Sequence, residues 1–356
     1  MSTVRFLKAR DIAPWLEELS RDRTVLAPAQ HGGTIVFCEF DPARGVELSQ
    51  LSTTPAKRAL LPPCETLFEY ETTKTLEPPY KTHVELRPTL PQGKAVVFGA
   101  RPCDARAMQI FDRVYNGEQV KDPYYTARRN NATIVTLACS EQDDTCFCDR
   151  VGGSPVDATG SDVLLTPLKA GYVAEALTPK GEELLQSTSF MKAEGLRQEA
   201  LNARNRILEH VPERSSFLDM ERNLLSLFGD LGFWDKTAEA CLSCGACTYL
   251  CPTCYCFNIT DETRGESGRR IRTWDNCMSS QFTLEGSGHN PRPTKAHRMR
   301  NRIGHKFSYY PQLHDKTLAC VGCGRCVSNC PVSFDIRNAV ACAIQQADAA
   351  REHAHD

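Results

Sequence analysis

No stretch of this 356-residue chain reaches the roughly 18 uncharged apolar residues that a membrane span needs. The opening MSTVRFLKARDIAPWLEELS also lacks the apolar core of an export signal, so residence in the cytoplasm is expected. Excess charge of either sign is missing. The formal net charge is -2, which gives no reason to expect nucleic-acid binding. Neither G-x-G-x-x-G nor G-x-x-x-x-G-K-[ST] occurs, and Gly32-Gly33 and Gly152-Gly153 read as turns. No flavin or nicotinamide is therefore expected on this chain. Cysteine, by contrast, is abundant, with 18 residues. Without an export signal, that number points to metal ligands and not to disulfides.

Eight of these cysteines fall in two runs, Cys241-x2-Cys244-x2-Cys247-x3-Cys251-Pro252 and Cys320-x2-Cys323-x2-Cys326-x3-Cys330-Pro331. Each is the run that folds around a [4Fe-4S] cubane, with three thiolates on one cube and the fourth directed at the other. The expected ligand sets are Cys241, Cys244, Cys247 and Cys330 for the first cluster, and Cys320, Cys323, Cys326 and Cys251 for the second. Gly245, Gly322 and Gly324 suit a backbone that passes close to sulfide. The rival is structural zinc, which usually takes separated C-x2-C pairs.

Length allows two or three domains. Up to about residue 178, short apolar runs alternate with turn signals, as in an α/β domain. Thr34 to Phe40 reads as a strand after a tight turn, and Lys94 to Gly99 and Ala132 to Ala138 as short buried strands. A helix is expected to start near Arg101-Pro102 and to run to about Tyr115. A strand-helix-strand unit favours parallel neighbours, which puts Cys103 and Cys139 side by side at one sheet edge. Ligands of open α/β sheets collect there, and the loop beyond carries Cys146 and Cys148. A third [4Fe-4S] cluster on Cys103, Cys139, Cys146 and Cys148 is the expectation, with Cys103 biased toward thiolate by its helix N-terminus. A zinc knot and buried free cysteines are the rivals.

Residues 179–236 show helical spacing in Leu196, Ala200, Ala203, Ile207 and again in Leu224, Leu225, Leu227, Phe228, and read as a connector of two or three helices parted by Pro212. Residues 237–345 read as a two-[4Fe-4S] ferredoxin-like module with a long insertion, and 346–356 as a tail. The insertion carries Cys254, Cys256 and Cys277, for which packing is the favoured role, and many basic residues, among them Arg292, Arg298, Arg302, His297 and His305. These could raise a cluster's potential, hold acidic residues of a neighbouring subunit, or form ordinary surface ion pairs. Cys38, Cys64 and Cys342 lie among apolar residues and look structural.

The segments GARPCDARAMQIFDRVY (99–115), CLSCGACTYLCPTCYCFNITDE (241–262), RIRTWDNC (270–277), GHNPRPT (288–294), HKFSYY (305–310) and CVGCGRCVSNCPVSFDIR (320–337) together resemble one family. It is the iron-sulfur electron-transfer family that includes the beta subunit of cytoplasmic nickel-iron sulfhydrogenases and an iron-sulfur component of anaerobic sulfite reductase. The resemblance runs from about residue 55 to 340. It implies a non-catalytic relay of single electrons linking a catalytic subunit, first among them that of a nickel-iron hydrogenase, with a flavin subunit that handles NAD(P)H. The same relay in anaerobic sulfite reductase or a heterodisulfide-reductase-like complex is the alternative. An iron-sulfur redox sensor or scaffold is a reading of another class.

Overall fold

The computed structural model describes residues 3–193, 195–218 and 220–352. The first two residues of the opening segment and residues 353–356 of the expected tail lie outside them. In chain order the strands are β1 (Val4–Lys8), β2 (Arg23–His31), β3 (Thr34–Glu39), β4 (Cys64–Lys74), β5 (Thr82–Pro88) and β6 (Lys94–Ala100). They continue with β7 (Ala132–Leu137), β8 (Val163–Leu168), β9 (Gly171–Ala176), β10 (Met191–Lys192), β11 (Phe257–Arg264) and β12 (Ser267–Trp274).

One sheet has the order β10-β1-β9-β8-β7-β6-β2-β3 and a second the order β11-β12-β4-β5. In the larger sheet β2, β6, β7 and β8 are parallel. Parallel strands are covered on both faces, which is why KAVVFGA and ATIVTL read as nearly unbroken apolar runs. Their side chains alternate between the faces. Val96, Phe98, Val135 and Leu137 meet Trp15 and Leu16 of helix Ile12–Leu19 on one side. Val97, Ala132 and Ile134 meet Met108 and Phe111 of helix Pro102–Tyr115 on the other. Each large apolar side chain so buried contributes about 1.5–3 kcal/mol. The strands expected at Thr34, Lys94 and Ala132 are β3, β6 and β7, and the last two are parallel neighbours.

The connector differs from its expectation. It holds four short helices, Pro179–Leu184, Leu196–Glu209, Glu221–Ser226 and Leu231–Ala238, with β10 between the first two. Thr178 caps the first, its hydroxyl accepting from the Gly181 N–H, and Pro179 follows at the first helical position. Leu224, Leu227 and Trp234 are buried with Met299, Phe307 and Val340, so these helices form part of the C-terminal core.

The insertion is folded as well. β11 and β12 form a hairpin in register Phe257↔Trp274, and β12 pairs with β4, which joins the insertion to residues 64–88. After it, helix Lys295–Gly304 runs directly into a π-helical turn, His305–Tyr309. Cys64 and Cys342 are exposed, not packed as expected, because one opens β4 and the other faces outward from helix Ile336–Glu352. Cys38 is half-buried on β3. Among the described residues no helix is long and apolar enough to cross a membrane.

Candidate metal centres

The two cysteine runs share one backbone. Ser243 (φ +57°) and Gly245 (φ +79°) in the first correspond to Gly322 (φ +65°) and Gly324 (φ +74°) in the second. Each run then enters a short helix, Ala246–Tyr249 or Arg325–Ser328. These left-handed residues turn the chain sharply between successive cysteines.

Cys251, Cys320, Cys323 and Cys326 line one small enclosed cavity together with Arg302 and Lys306. Those are the four thiols expected for the second cluster. The two short helices pack on each other, which carries Cys330 toward the first run. The Cys330 sulfur accepts from the Phe334 N–H at 3.2 Å, and that of Cys241 from the Ser243 N–H at 3.3 Å. Cys241 and Cys247 pack on the same core as Cys326, whereas Cys244 is exposed.

Cys103, Cys139, Cys146 and Cys148 line a second cavity, of about 220 Å³. Strand order brings them there. β6 ends at Ala100 and Pro102 starts the helix, so Cys103 sits in its first turn. β7 ends two residues before Cys139, whose N–H donates to the Pro155 carbonyl at 2.9 Å. The following loop is held against the second ferredoxin run, with Phe147 N–H donating to Gly322 O at 2.8 Å and Cys146 Sγ 3.8 Å from Cys323 O. Cys323 lines this cavity too. A Cβ on Gly322 would lie under 3.0 Å from the backbone of Phe147 and Cys148, and one on Gly324 equally close to Thr145. The two glycines therefore admit the loop, a closer constraint than the approach to sulfide expected of them.

Burial dominates the thiols. It pushes Cys139 up to about 11 and Cys146, Cys323 and Cys326 up to about 12. Cys103 is also pushed well above its ordinary value, by burial first and by Asp104 second. That overturns the thiolate bias expected from its helix N-terminus: the dipole is worth at most about 2 kcal/mol, less than full desolvation of a thiolate. Losing these protons is thus coupled to metal binding. Among the described residues no three His, Cys, Asp or Glu side chains converge as closely as a single metal ion requires.

Several polar groups that the sequence did not single out surround the thiols. Arg325, 1 % exposed, forms a two-point ion pair with Asp104, Nη1–Oδ1 at 2.9 Å and Nη2–Oδ2 at 3.0 Å. Its Nε donates to Ser52 O at 2.7 Å. Asp104 also accepts from the Arg101 N–H at 3.3 Å, completing the helix cap. Gln142 Nε2 donates to Cys148 Sγ at 3.2 Å. Lys306 Nζ donates to Cys251 Sγ at 3.4 Å, and buried Lys57 donates to Cys254 O at 2.9 Å while lying 4.2 Å over the Trp274 ring. Arg302 is buried with Nε and Nη1 unpartnered, and donors so placed fit a sulfide-rich anion in the cavity they face. Cys254 shares a thiol hydrogen bond with Cys251, and Cys256 another with Cys277, which belongs to the C-terminal core.

Residues 240–334 match the family described as 4Fe-4S dicluster domain. Over 326 residues, 90% of this chain and 91% of the other, the sequence is 31% identical to the sulfhydrogenase 2 subunit beta of Pyrococcus furiosus. No solved structure matches the chain. By this extent of identity the chain belongs to the sulfhydrogenase beta-subunit family, and its role is electron transfer through [4Fe-4S] clusters.

Proposed function

We propose that the chain relays single electrons through three [4Fe-4S] clusters between the catalytic subunit of a nickel-iron hydrogenase and a flavin subunit that handles NAD(P)H. The ligands are Cys241, Cys244, Cys247 and Cys330 for the first cluster, Cys320, Cys323, Cys326 and Cys251 for the second, and Cys103, Cys139, Cys146 and Cys148 for the third. Residues 1–178 carry the third site, 237–345 the other two, and 179–236 pack between them. A cluster bound at such thiols supplies one-electron redox chemistry.

The observation that carries this reading is Cys323, which lines both the second and the third cavity. Adjacent sites form a line, with exposed Cys244 at one end and the 220 Å³ cavity at the other. The residues contribute orientation and exclusion of water: Phe147 separates the loop from solvent at 1 % exposure, and Gln142 and Lys306 fix sulfurs by hydrogen bonds. The spread of each thiol set around a cavity suits a cube better than one zinc ion. The name of the Pyrococcus relative favours a hydrogenase over the sulfite-reductase alternative.

Anaerobic purification of the native complex tests the reading. About twelve iron atoms per chain and a nickel-containing partner are expected. About eight iron atoms would remove the third site, a sirohaem partner would replace the hydrogenase, and a solitary chain that passes no electrons would leave a sensor or scaffold.

A further inference from the structure

We infer that the station at Cys251, Cys320, Cys323 and Cys326 has the highest potential in the relay, and that Lys306 is the residue that sets it. The inference rests on the relay reading above. Lys306 lies in the π-helical turn, a geometry that recurs at functional positions. Its side chain is held inside at 4 % exposure. All three ammonium directions are used: Cys251 Sγ at 3.4 Å, Thr253 Oγ1 at 2.9 Å and Ala319 O at 3.0 Å. Thr253 in turn donates to Ala319 O at 2.9 Å, so the charge cannot swing away from the sulfur.

Arg302 lines the same cavity, and Lys57 lies behind Cys254. Among the described residues none of these three cations is paired with a carboxylate. The other stations differ. At the third site Arg325 is neutralised by Asp104, and Arg214 stands 3.6 Å from Asp149. Beside the first run Arg298 lies 3.5 Å from Ser243 Oγ, but there Cys244 opens to water, where charge is screened. Adding an electron to a buried centre adds negative charge. A fixed cation and a hydrogen bond to ligand sulfur both favour that reduced state. An electron entering from either end is therefore held longest at the middle.

An EPR-monitored anaerobic redox titration of the full-length, cluster-loaded protein decides it. In protein carrying nitrogen-15 lysine, the signal that appears first on lowering the potential should show nitrogen-15 coupling. In Lys306→Met that signal should move to lower potential. At the wild-type midpoint about tenfold less should be reduced, which is about 59 mV for one electron. Lys306→Arg, which keeps the charge, should move it less. The inference is overturned if the first signal lacks the coupling, if all signals titrate together, or if Lys306→Met moves every signal equally. The labelled wild type decides even where the methionine variant fails to hold iron. Iron below about eight atoms per chain would overturn the relay reading and this inference with it.

Discussion

Arg325→Met removes one half of an ion pair that joins the two ends of the molecule. Arg325 opens the short helix behind Cys323, and Asp104 sits in the first turn of the helix that carries Cys103. Both side chains are 1 % exposed, so the carboxylate left behind has no water to turn to. Breaking a buried pair in this way costs about 3–5 kcal/mol. Asp104→Leu alone should cost a similar amount, since it strands the guanidinium and also strips the Arg101 N–H of its acceptor. Removing both charges together leaves no stranded ion, and such replacements are often neutral. The double variant should thus be more stable than the sum of the singles by at least about 2 kcal/mol. Anaerobic denaturant titration followed by fluorescence of the three tryptophans measures this cycle. Additive losses would refute the reasoning, because they would mean that each charge finds compensation elsewhere.

Gly322→Ala should destabilise by roughly 2–5 kcal/mol, adding the left-handed backbone cost to a clash with Phe147 and Cys148. Gly265→Ala has the same backbone sign and open space, and should cost only about 1–2 kcal/mol. Equal denaturation midpoints for the two would sink the account of the docked loop. Burial first, then Lys306, holds His305 down at about 4 against an ordinary 6.5. Between those values the unfolded chain binds a proton that the folded one refuses, so stability rises with pH from about 4 to 6.5 and is flat above. His305→Gln should remove up to roughly 3 kcal/mol of that slope, read as the variant-minus-wild-type difference in midpoint against pH. Cys326→Ser should abolish electron passage through the complex while partner half-reactions persist; unimpaired turnover would count against the relay.

The parts legible in the sequence are those whose physics is local or topological. β6 and β7 announce themselves because fully covered parallel strands are continuous apolar runs. The third thiol set follows from one handedness rule applied to Cys103 and Cys139. β11 and β12 are illegible because FNITDETR and SGRRIRTW are charged and largely exposed. Their strand character comes from cross-strand pairs, Arg270 with Asp261 at 2.7 Å and Arg269 with Glu262 at 2.7 Å, and from the partner strand β4. The connector hides its packing for a related reason: helical spacing reveals an apolar stripe but not that Trp234 and Leu227 complete another segment's core.

Lys306 illustrates the deeper limit. A lysine among many basic residues reads as surface, since lysine is almost never fully buried unless paired. Its inward direction depends on a helix that widens for five residues after Gly304, and on Thr253 and Ala319 supplying oxygens from two other segments. The same long-range logic explains why Gly322 must be glycine while its counterpart in the first run is Ser243. Both sit in the left-handed region, so backbone freedom alone cannot account for the difference. Only the second run has a protein loop pressed against it, and that loop carries Cys146 and Cys148. Separation between the second and third sites is therefore fixed by backbone contact, with no side chain able to relax it. A relay needs such fixed spacing, whereas a scaffold that merely held its shape would not require two thiol sets to share a wall.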